Sequence, residues 1–208
     1  MLVAVGGVVA VAGSVIALDF ALRDRDNRTL RFDRPIDEVA VDISGGSIRL
    51  IGTDDSTITV EMSVRSGIRG PNHRERVEDG RLVIESSCPF RLATPTCEVD
   101  YTVHVPSHVA IELDGNGLDA QIESVTGDLD VSINGGDVDA TFSEAPRQIK
   151  ARANGGNIGI VIPNDQYSYR LKSSSNGGST DVDVRTDPAS DRVIDVHTNG
   201  GRVTVRYP

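Results

Sequence analysis

The side chains with chemical potential in this chain are mostly carboxylates. Asp119, Asp128, Asp130, Asp137, Asp139, Asp181 and Asp183 each stand beside an apolar residue. If those apolar neighbours point into a core, the carboxylates line up outside it, and calcium takes several such oxygens. The glycine-rich nonapeptide of calcium-binding coils has a different period and glycine spacing, so it does not match. The plainer reading is a solvated acidic face that discourages sheet aggregation. Glycoside hydrolysis needs two carboxylates in a cleft. Acids are plentiful here, but none has a singular apolar or aromatic setting, and the chain has no Trp, four Tyr and four Phe. His73, His104, His108 and His197 form no ligand pattern, and Pro106 breaks any helical face between His104 and His108. There is no G-x-S-x-G elbow. These residues predict a non-enzymatic protein with no catalytic residue, cofactor or metal.

Cys88 and Cys97 flank a short segment with Pro89 and Pro95. They read as a disulfide if the domain is exported to an oxidising compartment, and as two unpaired thiols otherwise. No second Cys or His pair lies near with metal-ligand spacing.

A recurring corner positions all of these groups. Ile133-Asn134-Gly135-Gly136-Asp137-Val138 returns as Ala153-Asn154-Gly155-Gly156-Asn157-Ile158, with further copies at Asn176-Gly177-Gly178 and Asn199-Gly200-Gly201. Looser copies are Gly45-Gly46 and Gly115-Asn116-Gly117. From Gly115 the steps to Gly135, Gly155, Gly177 and Gly200 are 20, 20, 22 and 23 residues. A fixed period of this size marks a repeat architecture. Apolar residues alternate on both sides of each corner, as in Leu129, Val131, Ile133 and Val138, Ala140, Phe142. Period two means strands with one buried face. Each repeat is therefore two short strands joined by a Gly-Gly corner, with a variable loop leading to the next.

Glycine at the corner supplies φ > 0 and lets successive turns approach closely, and Asn tolerates φ > 0 better than most residues. A simple Asn-Gly hairpin would pair strands antiparallel. The constant corner and the 20-residue step instead predict stacking of equivalent strands, since one turn cannot bury its apolar face alone. The hand of the coil stays open, and Tyr207-Pro208 is expected to cap its end. Upstream, Val39 to Ile43, Ile48 to Leu50, Ile58 to Val64, Arg81 to Glu85 and Val99 to Val105 alternate as strands, and Gly67 to Arg76 reads as a polar loop. The fold class is all-β: a β-solenoid-like stack of short strands with Gly-Gly corners, preceded by one apolar segment expected as an N-terminal transmembrane helix.

That segment, residues 1–18, carries no charge, and its length is at the short end of what spans a bilayer. It reads as a transmembrane anchor or as a cleaved signal peptide with Ala10-Val11-Ala12 as the cleavage site. The apolar run continues past that site, which favours the anchor. Residues 19–35 read as a charged linker, with a short strand at Thr29 to Asp33 as an option, and 36–208 as the exported β domain. The net charge of −10 argues against nucleic acid, which demands clustered Lys and Arg. A single-pass protein at the cell membrane, with its β domain outside the cytoplasm, is the expected location.

Ser44-Gly45-Gly46-Ser47-Ile48-Arg49-Leu50, the segment from Cys88 to Cys97 and the repeated Asn-Gly-Gly corners resemble the putative adhesin family of bacterial envelope proteins. That family is a domain of unknown function with a toast-rack-like β coil. The resemblance covers about 36–208. It implies a cell-surface or envelope location, a non-enzymatic role and no catalytic residues. The function expected is adhesion or scaffolding, with a protein or a cell-wall polymer bound along the strand surface and self-association as a further option. The alternatives are an envelope-stress sensor partnered with a membrane signalling protein and, less in keeping with the residues, a carbohydrate-active enzyme.

Overall fold

The computed structural model describes residues 24–66, 70–88, 97–163 and 167–208. The apolar run 1–18, read as an anchor or signal segment, lies outside the described residues, as does the start of the linker. Fifteen strands and no helix occur among the described residues. In chain order they are β1 (Asp24–Phe32), β2 (Glu38–Thr53), β3 (Ile58–Ser66), β4 (Asn72–Glu78), β5 (Arg81–Ser87), β6 (Cys97–Pro106), β7 (Ala110–Val125) and β8 (Leu129–Asn134). Then come β9 (Val138–Phe142), β10 (Gln148–Ala153), β11 (Ile158–Val161), β12 (Arg170–Asn176), β13 (Ser179–Asp183), β14 (Val193–Asn199) and β15 (Arg202–Arg206).

The strands form two faces that meet at the glycine corners. The first face runs β4, β5, β2, β7, β8, β10, β14, β12, and the second runs β1, β3, β6, β2, β7, β9, β11, β15, β13. Strands β2 and β7 belong to both, because each bends at its corner and continues. Residues 38–44 of β2 pair on the first face and 46–53 on the second. Every pair from β2 to the coil's far end is parallel, as stacking predicts and a hairpin would not allow. The antiparallel pairs, β1 with β3, β3 with β6 and β4 with β5, lie at the N-terminal end.

The alternating residues fill the space between the faces. Val131, Ile133, Val138, Ala140, Ile158, Ile160, Ile194, Val196, Val203 and Val205 are all buried. Complete burial of such a side chain is worth roughly 1.5–3 kcal/mol. A narrow aliphatic interior suits a chain without Trp.

Four sequence expectations change. The short strand offered at Thr29 to Asp33 in the expected linker is the end of a longer one, β1, which starts at Asp24, with Leu30 and Phe32 packed against the core. Asn72–Glu78, which overlaps the expected loop as far as Arg76, is strand β4 of a hairpin with β5, turned at Asp79, which takes φ +48°, and Gly80. Both strands are rich in charge, which hid their period. The corners at Gly45-Gly46 and Gly115-Gly117 bend single strands without ending them.

The fourth change concerns the end of the coil. The last repeat stacks between the two before it, not outside them. Strand β14 inserts between β10 and β12, and β15 between β11 and β13. The outermost turn is therefore β12–β13, not the C-terminal Tyr207-Pro208. The inward positions explain this. Those of β14 and β15 are Ile194, Val196, Thr198, Val203 and Val205, all buried. In register with them, β12 and β13 offer Leu171, Ser173, Ser175, Thr180 and Val182. A turn with serine and threonine at inward positions belongs where only one side is covered. Tyr207 still serves that end: its hydroxyl accepts a hydrogen bond from Arg185 N at 2.9 Å.

Candidate functional site

The corner stack is the most regular feature of the surface. Gly156 shows why two glycines are needed. It has φ +114°, and a Cβ on it would overlap the carbonyl oxygen of Gly136 in the neighbouring turn. Its predecessor Gly155 has open space around it and needs glycine only for φ +83°. The second glycine thus sets how closely turns stack, and the first turns the chain.

The corner asparagines do something else. None has φ > 0, so tolerance of that conformation is not their role. Their amides form a ladder across five turns. Asn134 Nδ2 donates to Asn116 Oδ1 at 3.1 Å, and Asn154 to Asn134 at 2.7 Å. Asn199 donates to Asn154 at 2.7 Å, and Asn176 to Asn199 at 2.9 Å. The ladder follows the spatial order of the turns, with Asn199 between Asn154 and Asn176. A second ladder follows the glycines. Asp119 Oδ1 accepts from Asp137 N at 3.0 Å, Asp137 Oδ1 from Asn157 N at 2.7 Å, and Asn157 Oδ1 from Arg202 N at 3.0 Å.

These ladders dispose of much of the acidic row. Asp119 and Asp137 cap backbone amides of the next turn. Asp128 does the same for Gln148 N at 2.9 Å, and Asp130 pairs with Lys150 at 3.3 Å on the first face. Asp181 and Asp183 lie on β13, separated from Asp139 on β9 by β15 and β11. Among the described residues no three His, Cys, Asp or Glu side chains converge as metal ligands would. Asp139 folds toward Gly159, and burial followed by the charge of Asp137 pushes its carboxyl up.

The outward side of the first face is the broadest chemical surface. In register across it run Glu112, Asp130, Lys150, Asp195 and Lys172. The next row is Asp42, Asp114, Ser132, Arg152, His197 and Ser174. Acids gather over β2, β7 and β8, and cations over β10 and β12. A trough of about 530 Å³ lies on the acidic side, lined by Glu38, Asp42, Glu78, Glu85, Glu112 and Asp114 with Arg76 and Arg81. Arg81 bridges Glu38 and Glu112, and Arg76 holds Glu85, whose carboxyl it pulls down. Among the described residues Asp114 has no ion-pair partner. Burial, then the charges of Glu112, Asp42 and Asp130, push its carboxyl up.

At the N-terminal end the interior turns polar. Glu75 on β4 is 5% exposed at its side chain, and Tyr101 OH donates to it at 2.8 Å from the opposite face. His73 Nδ1 lies 3.2 Å from the same carboxylate, and burial followed by the charge of Glu75 pushes the Tyr101 phenol up. The alternation His73, Glu75, Val77 was the signal that sequence reading passed over. Cys88 and Cys97 are bonded beside this end, with Cα atoms 5.8 Å apart. His104 lies on β6, His108 lines a depression with Asp54 and Asp55, and His197 hydrogen-bonds Ser174 and Asn199. The four histidines thus sit apart.

Parallel strand pairs stacked on Gly-Gly corners define a toastrack-like all-β coil. Residues 107–206 match the Toastrack DUF4097 family model, in keeping with the resemblance drawn from the corners. A putative cell adhesion protein from Clostridium sporogenes has the same fold. It is 10% identical, with 89% of this chain and 100% of that chain covered at a TM-score of 0.61. A putative adhesin from Bacteroides fragilis is 14% identical, with 88% and 97% covered at a TM-score of 0.38. No curated protein matches the chain.

Proposed function

We propose that this protein is an adhesin-like or scaffolding domain that works without catalysis and binds a protein or a cell-wall polymer along its strand surface. The observation that carries the reading is the first face: its outward rows are charged and in register, while the space behind them is filled by aliphatic side chains. Such a surface recognises by repetition and charge over a wide area, with no enclosed cleft required. Membrane attachment through 1–18, with the β domain outside the cytoplasm, belongs to the same proposal. It is supported by the uncharged N-terminal run and by a disulfide suited to an oxidising compartment.

Residues 19–208, purified oxidised, would be incubated with isolated cell-wall material and with solubilised envelope proteins. Saturable retention on the polymer, or of one envelope protein, is expected. No retention on either would overturn the reading, and so would turnover of a wall glycan by the purified domain.

A further inference from the structure

The charges of the first face fall into two groups once internal pairs are set aside. Asp130 is held by Lys150 at 3.3 Å and Asp195 by Arg152 at 3.8 Å. Glu38 and Glu112 share Arg81. Among the described residues, on the six strands from β2 to β12, Asp42 and Asp114 carry no ion pair, and neither do Arg170 and Lys172; all four are exposed, and Arg74, also without an ion pair, lies on β4 outside those six strands. The two acids sit side by side on β2 and β7, and the two cations sit on β12 at the far edge of the same face. Two unpaired acids and two unpaired cations therefore lie about four to five strand spacings apart, roughly 20–24 Å.

We propose that this face takes a second copy of the chain, turned about an axis that runs along the strands near the seam of β8 and β10. The acidic side of each copy then lies over the cationic side of the other. At the seam, Asp130 faces the partner's Lys150, and near the edges Glu38 faces the partner's Arg170; in the same rows Asp42 lies over the partner's Ser174, one row from the partner's Lys172, Asp114 lies over the partner's His197, and Glu112 over the partner's Asp195 is the like-charge contact that the net charge of the two sides must outweigh. Rotation about an axis across the strands would instead lay acid on acid, so charge selects one of the two ways to turn the face over. Six strands of about seven residues present roughly 600 Å² of flat area, against about 800 Å² per partner for a stable complex. The dimer is therefore weak and sensitive to salt. This rests on the reading of the strand faces as binding surfaces, and it names the occupant of one of them.

The test uses the full chain in detergent micelles with Ser132→Cys, an exposed position on β8 beside the seam, and a short bis-maleimide. Gln121→Cys on the second face is the control. Cross-linking is expected at Ser132→Cys in about 50 mM salt, at least tenfold above the control, and lost in about 0.5 M salt, where screening acts within a few ångströms. Asp42→Lys/Asp114→Lys and Arg170→Glu/Lys172→Glu, each added to Ser132→Cys, should each lower the yield at least tenfold. An equal mixture of the two should restore it, because each then carries the charges the other lacks. Equal cross-linking at Gln121→Cys, no cross-linking at low salt, or variants that cross-link as well as the parent would each overturn the proposal. Any of these results together with saturable wall retention would leave the proposed function standing and remove only the second copy.

Discussion

The last two turns of the coil share a corner and differ in their interiors. Asn176-Gly177-Gly178 and Asn199-Gly200-Gly201 bend the chain alike, yet β14–β15 lies inside the stack and β12–β13 lies at its end. Corners fix that a turn stacks. Inward residues fix where. Isoleucine and valine at 194, 196, 203 and 205 need a neighbour on each side, while Ser173, Ser175 and Thr180 lose little by facing one. Ser175 Oγ donates to Gly201 O at 2.8 Å, which ties the polar end turn down without a wide apolar contact. The end of the coil is thus closed by composition, and further strand addition there is disfavoured.

Three substitution pairs and one single substitution would break or sharpen this contrast. The largest effect is expected at the corners. Gly156→Ala forces a Cβ into the Gly136 carbonyl at φ +114° and should cost about 4 kcal/mol. Gly155→Ala, with open space at φ +83°, should cost only about 1–2 kcal/mol in the same urea titration. Equal losses would mean that close approach of the turns is not what the second glycine provides. Next comes the interior. Ile194→Ala leaves a cavity between two covered sides and should cost about 3 kcal/mol, whereas Leu171→Ala at the half-buried end should cost about 1 kcal/mol. Thermal unfolding of the two variants would separate them by several degrees.

The amide ladder should show the same polarity on a smaller scale. Asn154→Ala removes a residue bonded to two neighbours and should cost about 1 kcal/mol; Asn176→Ala, at the ladder's end, should cost about half of that. The smallest effect is on charge. The Asp114 carboxyl is raised in the folded protein, so the folded state favours its protonated form. That penalty is absent below the unfolded value of about 3.9 and grows as pH rises through the folded value. Asp114→Asn should therefore raise Tm slightly at pH 7, by less than about 1 kcal/mol of stability, and the gain should vanish as pH falls below about 4. A gain that persists at low pH would point to a cause other than the neighbouring carboxylates.

Much of the coil was legible because its period is local. Glycine pairs 20 to 23 residues apart and alternation on either side announce strands that stack in parallel, and the alternating positions are the buried ones. Turn order was not legible, since it depends on which turn has both sides covered, and neighbours in sequence need not be neighbours in the stack. The asparagines were noticed but assigned the wrong reason: backbone tolerance is a property of one residue, whereas a ladder exists only between turns. Strand β4 escaped, and β1 was visible only from Thr29 onward, because Arg, Asp and Glu occupy most of their positions. The contact between Glu75 and Tyr101 joins opposite faces across 26 residues, and no local pattern records it.

Backbone hydrogen exchange of the full chain, followed peptide by peptide, tests the stacking order most directly. The slowest exchange is predicted for 193–199 and 202–206, at the level of 148–153, with 170–176 and 179–183 opening well before them. Exchange at 193–206 as early as at 170–183, or earlier, would contradict the insertion of the last turn and return the coil to sequence order.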